Sequence, residues 1–153
     1  MRLVVQRVKK AKVTRVSDQK VVGEIGLGLF VLVGFKKGDS EEIVEQLAVK
    51  LSKLRVMSDS EDKMNLSIQD SGGSFLVVSQ FTLYADTSGG NRPSFIDAED
   101  PDKAKKLYEL FTSHLKDKGL RVETGSFGDY MKIDAELDGP VTIIYNEVES
   151  YEV

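Results

Sequence analysis

The stretch "VVSQFTLYAD", Val77 to Asp86, puts Ser79, Gln80 and Thr82 into a run otherwise composed for burial. An ordinary strand end with satisfied hydroxyls explains them. A pocket wall explains them too, with Gln80 and backbone N–H groups turned toward a ligand carbonyl. A hydroxyl nucleophile needs a base beside it. The chain has one histidine, His114, among the last turns of a helical segment, where positive charge suits the helix dipole. A Ser-His-Asp triad is therefore not expected. With no cysteine there is no thiolate or disulfide, and one histidine rules out a two-histidine metal site. No carboxylate cluster stands out either, so neither metal nor cofactor is expected.

A second stretch, "LDGPVTIIYNE" from Leu137 to Glu147, poses a different question. Val141 to Tyr145 reads as a buried strand, yet Gly139 and Pro140 stand at its head, one without a side chain and the other without an N–H. The pair is either a plain turn or a place where backbone meets a ligand. Arg7, in "VVQRV", reads on its own as a surface ion pair, worth little.

The elements that carry these residues are legible in outline. "LVVQRVKKAKVTR" has strand composition, with Val4, Gln6, Val8 and then Ala11, Val13 alternating across a charged bulge or turn. "VVGEIGLGLFVLVGF" is punctuated by glycine and then apolar from Leu27 to Val33. Its "GEIGLG" has no P-loop lysine and no following helix, so its glycines mark a turn or bulge. Asp39 and Glu42 read as a capping box opening a helix that buries Ile43, Val44, Leu47, Leu51 and Leu54. "SFLVVSQFTLYA" is a strand. A second helix begins at Asp100 with Pro101 in its first position, ends at Gly119, and buries Ala104, Leu107, Tyr108, Phe111 and Leu115. Strands return from Arg121. The order is β-β-α-β-α-β-β, an α+β fold with a largely antiparallel sheet and two main helices in one domain over residues 1–153.

The 153 residues are 41% hydrophobic and 30% charged, enough for one core. No apolar run is long enough to span a bilayer, and "MRLVVQRVKK" is too short and too charged for a signal peptide. A cytoplasmic protein is expected, without membrane contact. The net charge of -4 gives no general attraction to nucleic acid. The basic runs Lys9–Arg15 and Asp102–Lys106 read as solvated surface.

Taken together, "SQFTL" (Ser79 to Leu83) and "GPVT" (Gly139 to Thr142) resemble the D-aminoacyl-tRNA deacylases, also called D-tyrosyl-tRNA deacylases. The resemblance runs the length of the chain, through "VVQRV", "GEIG", "KMNL" (Lys63 to Leu66), "NRPSF" (Asn91 to Phe95) and "TGSFGDYM" (Thr124 to Met131). It implies a barrel-like core, a homodimer with active sites at the interface, and hydrolysis of the ester joining a D-amino acid to the acceptor end of tRNA. Glycine misloaded on alanine tRNA would also be cleared.

The resemblance assigns roles as well. Gly139 and Pro140, joined by a cis bond, would enter the partner subunit's pocket and reject L-amino acids, with Arg7 and Thr142 supporting the loop. Ser79, Gln80, Phe81 and Thr82 would form the catalytic stretch. Its backbone N–H groups would hold the oxyanion, and the terminal ribose 2′-hydroxyl would assist water; Thr82 as nucleophile is the rival route. Phe81, Phe127 and Met131 would hold the adenine, although core packing explains Phe127 and Met131 equally well. The family pattern N-x-G-P-x-T has asparagine where this chain has Leu137, which leaves room for a relaxed-chirality proofreader or an inactive tRNA-binding relative.

Overall fold

The computed structural model describes residues 1–146. Three strands come first: β1 (Arg2–Arg15), β2 (Lys20–Ile25) and β3 (Gly28–Gly34). The glycine-punctuated stretch is thus a turn between two strands rather than one element, and Leu27 in that turn is exposed. Helix α1 (Glu41–Ser52) is followed by a small hairpin of β4 (Met57–Ser58) and β5 (Met64–Leu66). Strand β6 (Ser74–Ser79) ends in a 3-10 turn, Phe81–Tyr84. Helix α2 (Pro101–Asp117), β7 (Arg121–Thr124) and β8 (Met131–Tyr145) complete the order.

The main sheet runs β2-β1-β3-β6-β7, with β8 also paired to β1. β1 is antiparallel to β2, β3 and β8. β3–β6 and β6–β7 are parallel, each reached through a helical crossover, so the sheet is mixed. It curls until β2 lies against β7. A Cβ on Gly23 of β2 would stand 2.3 Å from the Thr124 carbonyl oxygen of β7, so glycine there permits the near-closure into a barrel. Gly28 serves the β3–β6 contact in the same way, since its Cβ would lie 1.9 Å from Ser74 O. These glycines mark close backbone approach, not a phosphate cradle.

Alternation along β3 and β6 divides the core in two. Leu29, Val31 and Val33 with Phe75 and Val77 face the helices, where Val44, Leu47 and Leu51 of α1 and Leu107, Phe111 and Leu115 of α2 cover them. Phe30, Leu76 and Val78 face the barrel interior with Val8, Ala11, Val13 and Ile25. The alternation expected along β1 is out of phase in its first half. Leu3 and Val5 are buried, then Val8, Ala11 and Val13, because the β1–β8 register slips between Gln6 and Val8 and again between Val8 and Lys10. The charged bulge at Lys9–Lys10 therefore lies inside one continuous strand.

The start of α1 also differs from expectation. Ser40, not Asp39, is the N-cap, its Oγ accepting from Ile43 N–H at 3.3 Å. Asp39 is buried and occupied elsewhere: one carboxylate oxygen takes the Met1 ammonium at 2.6 Å and the other the Lys36 N–H at 2.7 Å. Asp100 likewise makes no side-chain cap on α2, and its backbone carbonyl receives Ala104 N–H instead. Pro101 does occupy the first turn, and Gly119 (φ +78°) does close the helix, beyond His114 and Lys116 in the last turn.

Candidate active site

Parallel strands deliver their carboxyl ends to one side of a sheet, where loops can surround a ligand. Here β3 leads into Phe35 and Lys37, β6 into Ser79, Gln80 and Phe81, and β7 into Phe127 and Met131. All of these residues line one cavity of about 770 Å³, closed on another side by Phe95 and the start of α2. That volume suits a small organic ligand, the usual range being about 300–1,000 Å³.

"SQFTL" is not a continuous strand. β6 stops at Ser79, and Gln80 caps the 3-10 turn with its N–H bound to Val33 O at 2.7 Å. Leu83 N–H returns to Gln80 O and Ala85 N–H to Thr82 O. The first N–H groups of such a turn have no acceptor within it. Those of Phe81 and Thr82 are thus left over by the turn; Phe81 lines the cavity, whereas Thr82 is not among its lining residues. The Gln80 amide donates to Thr82 Oγ1, which occupies that hydroxyl as an acceptor. Arg2 fastens the far end of the turn, donating to Leu83 O and lying over the Tyr84 ring with its guanidinium carbon 4.8 Å from the centroid.

The aromatic lining is held from behind. Phe81, 57% exposed, meets Phe95 edge-on with centroids 5.1 Å apart. Phe127 lies 5.8 Å from Tyr108, whose hydroxyl donates to Val77 O at 2.7 Å. Burial pushes the Tyr108 hydroxyl up to about 12. Met131 packs on the barrel core, and its Sδ accepts from Ser126 N–H at 3.3 Å. Phe127 and Met131 therefore pack on the core and line the cavity at once. Lys37, Phe95 and Tyr130 also border the cavity, although sequence reasoning did not single them out. Phe95 and Tyr130 fall inside "NRPSF" and "TGSFGDYM", which was the available signal.

Gly139, Pro140, Arg7 and Thr142 are not among the residues that line this cavity. The Gly139–Pro140 bond is cis and lies inside β8, not at the head of a strand. Between the pairs Gln6–Thr142 and Val8–Leu137, β1 has one residue, Arg7, and β8 has residues 138–141, which therefore stand out of the ladder. That position suits a proline, which needs no ladder donor there. Gly139 has φ +130°, and a Cβ on it would meet Val141 N at 2.8 Å, so the loop itself requires glycine.

Arg7 holds this loop. Its side chain is 11% exposed, and Nε donates to Asp138 O at 3.2 Å and faces the Asp138 carboxylate at 3.1 Å. Nη1 donates to Val56 O at 2.9 Å and to Ser58 Oγ at 3.3 Å. The arginine is therefore no exposed ion pair but a fork joining the loop to β4. Gln6 reaches Thr142 Oγ1 weakly, at 3.5 Å. Leu137, 48% exposed and opposite Val8, offers the loop no polar group. Among the described residues, no three or more His, Asp or Glu side chains gather as metal ligands, and no helix is long and apolar enough to cross a membrane.

Comparison with known proteins fits this architecture. The family model described as D-Tyr-tRNA(Tyr) deacylase matches residues 4–146. A D-aminoacyl-tRNA deacylase of Limosilactobacillus reuteri (strain DSM 20016) is 53% identical over 95% of this chain and 99% of its own. One of Aquifex aeolicus (strain VF5) is 51% identical over 97% and 99%. Among solved structures, the c-Myc DNA Unwinding Element Binding Protein superposes with a TM-score of 0.88 at 36% identity, covering 95% of this chain and 98% of that one. A probable eukaryotic D-amino acid tRNA deacylase, 18% identical with a TM-score of 0.81 over 94% and 97%, shares the fold. By the span of the family model and the identity to these relatives, the chain belongs to the D-Tyr-tRNA(Tyr) deacylase family.

Proposed function

We propose that this protein hydrolyses the ester of D-aminoacyl-tRNA, releasing the D-amino acid and free tRNA, in the cytoplasm where charged tRNA is found. The observation that carries the reading is the "SQFTL" turn, which brings unclaimed backbone N–H groups to an aromatic-lined cavity. An aminoacyl ester is already activated by its α-ammonium group. Water adds to the carbonyl carbon, the oxyanion is received by the Phe81 and Thr82 N–H groups, and the ester bond breaks to return the ribose 3′-oxygen as a hydroxyl. The neighbouring 2′-hydroxyl orients the attacking water, so positioning replaces a protein base. The adenine lies against Phe81, Phe127 and Met131.

The selector reading rests on the loop at 138–141. Its backbone projects from β8, and Arg7 fixes its direction. In a homodimer, a partner's loop enters the cavity and its carbonyl oxygens receive the substrate ammonium. The same backbone fills the space of an L side chain. A D side chain points away, and glycine has only hydrogen there, so D-aminoacyl and glycyl esters are both accepted. The long open edge of β8, with Ile133, Leu137 and Ile144 exposed, supports pairing with a second copy. Leu137 then adds apolar contact where relatives of the pattern use asparagine.

The test uses D-tyrosyl-tRNA with a normal and with a 2′-deoxy terminal ribose. Ester loss on the first and little on the second is expected. Equal rates on both overturn the ribose-assisted route, and no loss on the normal substrate overturns the deacylase reading.

A further inference from the structure

The deacylase reading leaves the rest of the tRNA end without a place. A cavity of about 770 Å³ suits an aminoacylated nucleoside, and the preceding unpaired nucleotide needs a surface next to it. One residue there has no evident task. Tyr130 borders the cavity, yet its side chain is 83% exposed, the highest value among the large exposed hydrophobic side chains. Among the described residues its ring and hydroxyl make no hydrogen bond, ion pair or ring contact, whereas Phe81 at the same cavity rests on Phe95.

This exposure does not come from a loose backbone. Tyr130 O accepts Val16 N–H at 2.9 Å, and Asp129 N–H returns to Ser126 O at 3.2 Å. The Ser126 hydroxyl donates to the Asp129 carboxylate, which also lies 3.7 Å from Arg15 Nη1. Gly128 takes φ +79° to make the turn. A fixed backbone thus presents a bare aromatic face beside the cavity. Lys37, from the segment after β3, supplies a cation at another wall.

We propose that Tyr130 is a stacking platform for the base of the penultimate nucleotide of the tRNA 3′ end, a contact that requires RNA beyond the terminal adenosine. Stacking is indifferent to base identity, which suits an enzyme that serves many tRNAs. The proposal rests on the deacylase reading, and the experiment separates the two. Wild type, Tyr130→Ala and Tyr130→Phe are compared on D-tyrosyl-tRNA and on 3′-D-tyrosyl-adenosine. Binding of uncharged CCA trinucleotide and of adenosine is titrated alongside.

Tyr130→Ala should raise KM for the tRNA ester and Kd for CCA roughly tenfold, the scale of one stacked base. It should leave kcat, the adenosyl ester and adenosine binding unchanged, and Tyr130→Phe should match wild type. Equal losses on the long and short ligands, or no loss on either, overturn the proposal. So does a change in sedimentation of Tyr130→Ala, which would give the ring to a protein interface. If wild type cleaves neither ester, the deacylase reading fails, and the CCA-to-adenosine ratio of Kd still decides the role of Tyr130.

Discussion

Removing the guanidinium of Arg7 should loosen the loop at residues 138–141 and blur the choice between mirror images. Arg7→Ala deletes contacts to four oxygens: the Asp138 carbonyl and carboxylate, Val56 O and Ser58 Oγ. Hydrogen bonds from a charged donor contribute about 1.5–3 kcal/mol each when desolvated. The Asp138 side chain is 29% exposed and Ser58 lies at the surface, so their shares are small. The contacts to Val56 O and Asp138 O dominate, and a loss of about 3 kcal/mol follows. For a chain of this length that lowers Tm by roughly 6–12 °C. Arg7→Lys keeps a charge near Asp138 without the fork and should recover about half. The assay pairs thermal melts with initial rates on D- and L-tyrosyl-tRNA at a temperature where each variant is folded. Arg7→Ala should raise the L rate relative to the D rate. An unchanged Tm would refute the anchoring argument, and a lowered Tm with an unchanged D-to-L ratio would make Arg7 a packing residue only.

Further predictions follow from single contacts. Ser40→Ala should cost about 1 kcal/mol in denaturant unfolding, while Glu42→Ala should cost only about 0.3–0.5 kcal/mol, because Ser40 is the side-chain cap and Glu42 offers just a first-turn charge and an acceptor for Gln46. Gly28→Ala places a Cβ 1.9 Å from Ser74 O and should lower stability by at least ~2 kcal/mol, read as a fall in the urea midpoint. Thr82→Ala should lose far less turnover than the roughly 10⁶-fold that follows removal of a nucleophile, since among the described residues the hydroxyl meets only the donating Gln80 amide and no base. The raised pKa of Tyr108 favours the neutral hydroxyl in the folded state, so its contribution is complete below about pH 10 and declines as pH climbs toward about 12. Tyr108→Phe should therefore show a flatter loss of stability across that window in alkaline urea titrations.

The helices were legible because their signals are local. Val44, Leu47 and Leu51 recur at helical spacing, and Pro101 and Gly119 bracket α2. Local signals failed where a distant group intervened. Asp39 reads as a cap until the Met1 ammonium, 38 residues away, claims its carboxylate. "SQFTLYA" reads as strand because its side chains suit one, yet Gln80 N–H bonding to Val33 O ends β6 and starts a 3-10 turn. Gly23 and Gly28 announce only a turn in sequence, whereas their cause is the carbonyl of a neighbouring strand. The cavity was half legible. Ser79 and Gln80 stood out, with Thr82, as polar intrusions in an apolar run, and Phe81 came with the family resemblance, but Lys37 and Tyr130 join the cavity only through the convergence of β3, β6 and β7. Arg7 illustrates the same limit, since its value comes from Val56 and Asp138, one 49 and the other 131 residues away.

The most direct test of the central claim is ester loss from D-tyrosyl-, L-tyrosyl- and glycyl-tRNA followed in parallel with the wild-type protein. Loss of the D and glycyl esters with the L ester intact is the predicted result, because on the proposed selector reading the loop at 138–141 excludes an L side chain. Comparable loss of the L ester would contradict the selector account and direct attention to Leu137. Absence of loss in all three would contradict the deacylase reading itself.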